Sequence, residues 1–163
     1  MITQGPVPPP PPGHSWEDLM RRALALAGEA RAAGEVPVGA LVVTAEGRIA
    51  GEGRNAPLQT HDPSAHAEIA ALRAAGRTLG NYRLQGCTLV VTLEPCAMCA
   101  AACVHARLDG VVYGACDRLA GAVGSRADLL DWPFLNHRIW HMGGVLSAPC
   151  AELLQDFFRG RRS

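Results

Sequence analysis

Four side chains stand out for the chemistry they could do. His66 and Glu68 share one short segment, His66-Ala67-Glu68, and Cys96 and Cys99 share another, Pro95-Cys96-Ala97-Met98-Cys99. Both segments read as the beginning of a helix. Cysteines three apart on a helix project to one side, and the positive end of the helix dipole favours their thiolates. Two sulfurs and one imidazole nitrogen suit zinc. Three protein ligands leave a fourth position for water, which is the stoichiometry of a catalytic site and not of a closed structural one. Water at such an ion has a pKa of about 7, and Glu68 is the carboxylate that could take its proton and deliver it elsewhere. Spacing alone does not bring His66 and Glu68 to one site. Residues two apart on a regular helix point roughly 200° from each other, so the ion has to sit close to the helix terminus.

Two further readings of the cysteines stand beside this one. Cys-x-x-Cys also forms redox pairs, usually in a thioredoxin-like setting without a paired His-x-Glu. A closed structural zinc site could recruit Cys103 or His105. Cys103, one helical turn beyond Cys99, reads together with Cys87 as a small buried core residue. Cys116 and Cys150 carry no assignment.

The elements that must position these residues follow from periodicity and punctuation. Ser15 caps a helix with an acidic first turn, and Leu19, Ala23, Leu26 and Ala30 recur at helical spacing until Gly34. Val38–Thr44 and Arg48–Gly51 read as a hairpin around Glu46-Gly47. Asp62-Pro63-Ser64 opens a second helix running to Ala75. Cys87–Leu93 is an apolar run typical of a strand buried on both faces. Pro95 starts a third helix that ends near Arg107, and Val111-Val112-Tyr113 forms another central strand. Gly121–Ser125 reads as a flexible loop, and a last helix covers about 151–158. Strands alternating with helices predict an α/β fold, a three-layer α/β/α sandwich with a mixed central sheet.

Composition narrows the function classes. The chain has 163 residues, 48% of them hydrophobic and 18% charged, with 15 basic and 15 acidic side chains. That supports one domain with a core of its own and excludes a disordered polymer. All the basic residues are arginine, and zero net charge argues against a strongly basic nucleic-acid coat while leaving room for a local patch. No apolar run approaches the roughly 20 residues that span a bilayer. The first residues have neither the charged start nor the apolar length of a signal peptide, which predicts a cytoplasmic protein. In a reducing compartment, clustered thiols are metal ligands or catalytic groups before they are disulfides. Residues 1–14, nearly all proline from 6 to 13, read as a proline-rich disordered tail, leaving 15–163 as the functional domain.

His-Ala-Glu followed by Pro-Cys-x-x-Cys resembles the zinc-dependent nucleoside and nucleobase deaminases. Within that superfamily the chain is similar to the bacterial tRNA adenosine deaminases from about Trp16 to Arg162. Glu35–Ala40, His61-Asp62-Pro63, Asn81–Leu84, Thr92–Cys96, Asn136-His137-Arg138 and Asp156–Arg162 carry the likeness. The resemblance implies a cytidine-deaminase-like fold and one Zn2+ per subunit on His66, Cys96 and Cys99. It implies attack of zinc-bound hydroxide on C6 of the wobble adenosine (position 34), with Glu68 shuttling protons to N1 and to departing ammonia, so that inosine forms. It further implies a tRNA anticodon stem-loop as partner and a homodimer. Asn55 matches the residue that hydrogen-bonds the nucleoside, Asp117 an acid near the sugar–phosphate, and Phe158 and Arg161 lie on a terminal helix bordering the RNA, where stacking and arginine–phosphate contacts would hold a splayed loop. Arg118-Leu119-Ala120-Gly121 departs from the family's Lys-Thr-Gly-Ala, so Leu119 cannot make a lysine's phosphate contact. Without the likeness, Asn55 reads as a turn residue, one of Phe157 and Phe158 as core, and Arg161-Arg162 as a solvated helix end. Two other functions fit the same motifs: deamination of a free base such as guanine or cytosine, and a non-catalytic zinc-stabilised RNA-binding module.

Overall fold

The computed structural model describes residues 6–162. Helix α1 (Trp16–Ala32) begins at Ser15, whose hydroxyl accepts from the Asp18 amide at 3.0 Å. It is followed by strands β1 (Gly39–Val43) and β2 (Ile49–Arg54), a short helix α2 (Pro57–Thr60) and helix α3 (Ala67–Leu79). Strand β3 (Thr88–Leu93), helix α4 (Ala97–His105) and strand β4 (Gly110–Ala115) come next, then strand β5 (Trp140–Met142) and helix α5 (Ser147–Arg161). The sheet order is β2-β1-β3-β4-β5. β1 runs antiparallel to β2 and β3, whereas β3, β4 and β5 are parallel.

Alternating side chains of the central strands feed two cores. Leu89, Val91, Val111 and Tyr113 pack with Ala67, Ala71, Ala75, Ala100 and Cys103 of α3 and α4. Val90 and Val112 pack on the other face with Leu19, Met20 and Ala23 of α1 and Cys150 of α5. Helices therefore cover both faces of a mixed sheet, the three-layer α/β/α sandwich that the pattern predicts. The α3 face is unusually tight because alanines meet glycines. A Cβ on Gly53 would lie 2.3 Å from the Ala67 carbonyl oxygen, and one on Gly51 2.5 Å from that of Ala71. Two side chains absent from β2 thus let the helix backbone lie directly on the strand and fix where α3 starts.

Several boundaries differ from the sequence expectation. The helix expected from Asp62 starts at Ala67, because Asp62 Oδ1 accepts from the Ser64 amide at 2.8 Å and hydroxyl at 2.7 Å. This Asx-type turn satisfies the backbone without a helix. Pro95 lies outside α4, for which Cys96 is the N-cap. Helix α5 is longer than expected at both ends, and its Pro149 is tolerated in the first turn. Elements α2 and β5 were not anticipated. Gly121, Ala122 and Val123 are buried, and the segment expected to be a flexible loop is tied down. Residues 6–14, the described part of the expected tail, lie against the body: the His14 Nε2–H donates to the Gly47 carbonyl at 2.7 Å. Residues 1–5 lie outside the described residues. Among the described residues, no helix is long and apolar enough to cross a membrane.

Candidate active site

The carboxyl ends of β3 and β4 and the amino ends of α3 and α4 meet at one end of the sheet, where parallel α/β architectures place their ligands. His66 is the N-cap of α3 and Cys96 the N-cap of α4, both with extended backbone: φ −78°, ψ 153° and φ −74°, ψ 176°. This settles the 200° difficulty. His66 precedes the helix, so its ring is free of the helical rotation that would turn it away from Glu68. His66, Cys96 and Cys99 form a group whose ligand atoms all lie within 4.8 Å of one another. His66 Nδ1 is 3.7 Å from Cys96 Sγ and 3.5 Å from Cys99 Sγ. A tetrahedral zinc with its usual bond lengths sets S···N separations of about 3.6 Å, so the trio fits the ion. Cys103 is buried in the core and His105 is exposed at the far end of α4. Neither joins the group, which among the described residues has three protein ligands.

The electrostatics follow from the caps. Cys96 is pulled down to about 5, first by a hydrogen bond from the Cys99 thiol and then, against the cost of burial, by the amides of Cys99 and Met98 and by His66. Cys99 is pushed up by the neighbouring Cys96, with which it shares that proton, and by burial. A divalent cation at their common focus would displace that proton.

Glu68, in the first turn of α3, is 4% exposed. Burial pushes its carboxyl up to about 7 and Cys96 adds to this, whereas its own backbone N–H, His66 and the Cys99 thiol act in the opposite sense. A carboxyl poised near neutrality beside a cation site can both accept and donate a proton.

The other sequence-predicted residues are placed as follows. Asn55 is buried and its Oδ1 accepts from the Ala67 amide at 2.9 Å, so it caps α3 next to His66. The turn-residue reading is thereby replaced by a helix-positioning role. Asp117 Oδ1 accepts from the Leu119 and Ala120 amides at 3.0 and 3.1 Å, shaping a turn. Phe158 is 44% exposed and meets the buried Phe157 edge to face at 5.4 Å. Arg161 donates to the Gly34 carbonyl at 2.6 Å and lies 4.6 Å over the Phe157 ring, tying the end of α5 to the end of α1.

Sequence reasoning missed Glu94. It is 1% exposed, and its carboxylate accepts from the amides of Asp117 (2.9 Å), Val123 (3.1 Å) and Ser125 (2.9 Å) and from the Ser125 hydroxyl. The Ala122 amide adds a bond to the Pro95 carbonyl at 2.8 Å. The 117–125 loop is therefore moored to the residues that lead into Cys96. A charged residue directly after an apolar strand was the available signal, since a carboxylate there must find donors. Glu35, also buried, likewise accepts from the amides of Leu58 (3.3 Å) and Gln59 (2.8 Å) of α2.

Comparison with known proteins agrees with this geometry. Residues 14–115 match the cytidine and deoxycytidylate deaminase zinc-binding region. The chain is 48% identical over 146 residues to the tRNA-specific adenosine deaminase of Haemophilus influenzae, covering 90% of this chain and 84% of that protein. It is also 48% identical over 151 residues to a tRNA(Ile)-lysidine synthase of Deinococcus deserti, of which it spans 28%. A solved structure from work on A-to-I editing by tRNA:A34 deaminases superposes with a TM-score of 0.81 at 41% identity, covering 84% of this chain and 99% of that one.

Proposed function

The chain belongs to the cytidine and deoxycytidylate deaminase zinc-binding family, and from that premise we propose that it hydrolyses the wobble adenosine (position 34) of a tRNA anticodon to inosine and ammonia. The observation that carries the chemistry is a buried Glu68, two residues from His66, beside a three-ligand cluster. The likeness to tRNA-specific adenosine deaminases over most of both chains supports the substrate.

Zinc on His66, Cys96 and Cys99 would supply a Lewis acid that lowers the pKa of water. Glu68 takes the proton of the attacking water and delivers it to N1 of the adenine ring. It then takes the remaining proton from the new C6 hydroxyl and hands it to the amine, so that the C6–N bond breaks as the C6 carbonyl of inosine forms. Both water protons are thereby accounted for, one on N1 and one on ammonia. Asn55 spends its Oδ1 on the Ala67 amide, which leaves its Nδ2 to donate to an acceptor on the nucleoside. Exposed Phe158 offers a face for a splayed base. Asp117 sets the turn that presents Arg118 and Leu119 at the rim, where Arg118 would take the phosphate contact Leu119 lacks. The engagement of Arg161 with Gly34 and Phe157 gives it the task of steadying α5, with its remaining N–H groups toward phosphate.

A homodimer fits an open cavity of ≈ 780 Å3 on the outer faces of α3 and α4, lined by Ile69, Leu72, Gly76, Tyr82, Leu84 and Ala102. Tyr82 is 70% exposed there, and a second copy would cover it. The proposed tRNA substrate supports a cytoplasmic location, and 15–163 is the proposed deaminase domain.

The test is incubation of the zinc-loaded protein with an adenosine-34 anticodon stem-loop and, separately, with guanine, cytosine and adenosine. Inosine from the stem-loop alone is the expected result. Turnover of a free base with the RNA untouched would overturn the assignment in favour of a free-base deaminase.

A further inference from the structure

The five consecutive prolines Pro8–Pro12 take no part in this chemistry. They lie at the end of the sheet opposite Cys96, near Thr44 after β1, Thr88 at the start of β3 and Asp109 before β4. Arm and body together enclose a cavity of ≈ 330 Å3 that Trp16 and Trp140 also line. The two indoles meet edge to face with centroids 5.8 Å apart. The arm is latched where it rejoins the fold. The His14 amide donates to the Pro11 carbonyl at 3.2 Å, and its Nε2–H to the Gly47 carbonyl at 2.7 Å. Gly47, at φ +92°, completes the fit, since a Cβ there would lie 2.3 Å from the Pro12 carbonyl oxygen.

A proline run favours the polyproline II conformation, loses little entropy on docking and presents apolar rings with no N–H to satisfy. Surfaces that recognise such runs are grooves lined by aromatic rings. We propose that the Trp16/Trp140 groove is a docking surface for a polyproline II segment and that Pro8–Pro12 of the same chain is its resident ligand, a clasp across the amino ends of the parallel strands. The short tether through Gly13–Ser15 gives the arm an effective concentration on the order of millimolar or above. The intact chain therefore excludes competing proline-rich segments.

The experiment uses the full chain with Trp132→Phe, because Trp132 is 43% exposed and would mask the other two indoles. Changing Pro8–Pro12 to serine should raise acrylamide quenching of Trp16 and Trp140 and lower Tm by about 2–4 °C. Deamination of the stem-loop should stay at the parent's level, since groove and pocket occupy opposite ends of the sheet. A synthetic peptide of residues 6–14 should then reverse quenching and Tm saturably, while leaving the intact-arm parent unaffected. His14→Ala, a milder change, should shift both readouts in the same direction by less. Unchanged quenching and Tm in both variants would overturn the docking, and a change that the peptide fails to reverse would overturn the recognition of polyproline.

Discussion

Glu68 and Glu94 are both buried neighbours of Cys96, one through space and the other along the chain, yet they differ in what surrounds their oxygens. Glu94 accepts from three backbone amides and a hydroxyl of the 117–125 loop. Glu68 has its own backbone N–H and the Cys99 thiol, and burial dominates its titration. A buried carboxylate whose lone pairs are filled by donors is a tether. One left nearly without them resists ionisation and becomes a group that can exchange a proton. Residue type and burial are the same in the two cases. The supply of N–H groups separates scaffold from chemistry.

Exchanging the two carboxylates for amides should separate their roles. Glu68→Gln should lower the deamination rate by at least about 10²–10⁴-fold while retaining zinc and anticodon stem-loop binding. Metal analysis and stem-loop binding alongside single-turnover rates check this, and an unchanged rate would remove Glu68 from the chemistry. Glu94→Gln should instead cost about 3 kcal/mol of stability, because it leaves amides of a buried loop without an acceptor. Urea unfolding measures it, and equal stability of variant and parent would contradict the tether.

The contrast also has a pH signature. In the zinc-stripped protein the folded Glu68 holds its proton up to about pH 7, whereas the unfolded chain releases it near 4.5. Between those values the native state binds the extra proton, so stability falls as pH rises, by up to about 3 kcal/mol in all. Urea midpoints of stripped parent and Glu68→Gln should therefore diverge between pH 5 and pH 8, the variant lacking that slope. Parallel curves would show that Glu68 is not desolvated in solution.

The smallest effect sharpens the comparison at Asn55, whose oxygen is a tether and whose nitrogen is the donor proposed for the nucleoside. Asn55→Ala should cost about 1 kcal/mol through loss of the α3 cap and should also raise KM. Asn55→Asp keeps the acceptor for the Ala67 amide but removes the donor, so it should hold Tm near the parent's while KM still rises. A normal KM in both variants would confine Asn55 to structure.

Much of this site was legible before any fold was known. His66, Cys96 and Cys99 declared themselves because soft and borderline ligands at that spacing have few other uses, and Glu68 followed from what a catalytic ion requires. The apolar runs of β3 and β4 announced central strands, and the alanine-rich helices were evident from period. The exact starts of α3 and α4 were not, because Asp62 and Pro95 are helix-start signals that local turns and caps overrode by a few residues. That small shift matters, since it makes His66 and Cys96 caps and lets the ligands converge.

Glu94, Glu35 and the clasp were illegible for a different reason. Donors for the two carboxylates come from amides far along the chain, and any residue type supplies an amide. The proline run predicts its own conformation but says nothing of the two tryptophans, more than a hundred residues apart, that receive it. Residue chemistry and periodicity by themselves marked out the candidate metal group His66, Cys96 and Cys99, Glu68 as the acid proposed to serve it, and the layered architecture, because each rests on a side chain's own properties or on a local repeat. Tertiary structure alone decided which buried acid is filled by donors and which is left nearly without them, because that depends on where the backbone N–H groups end up.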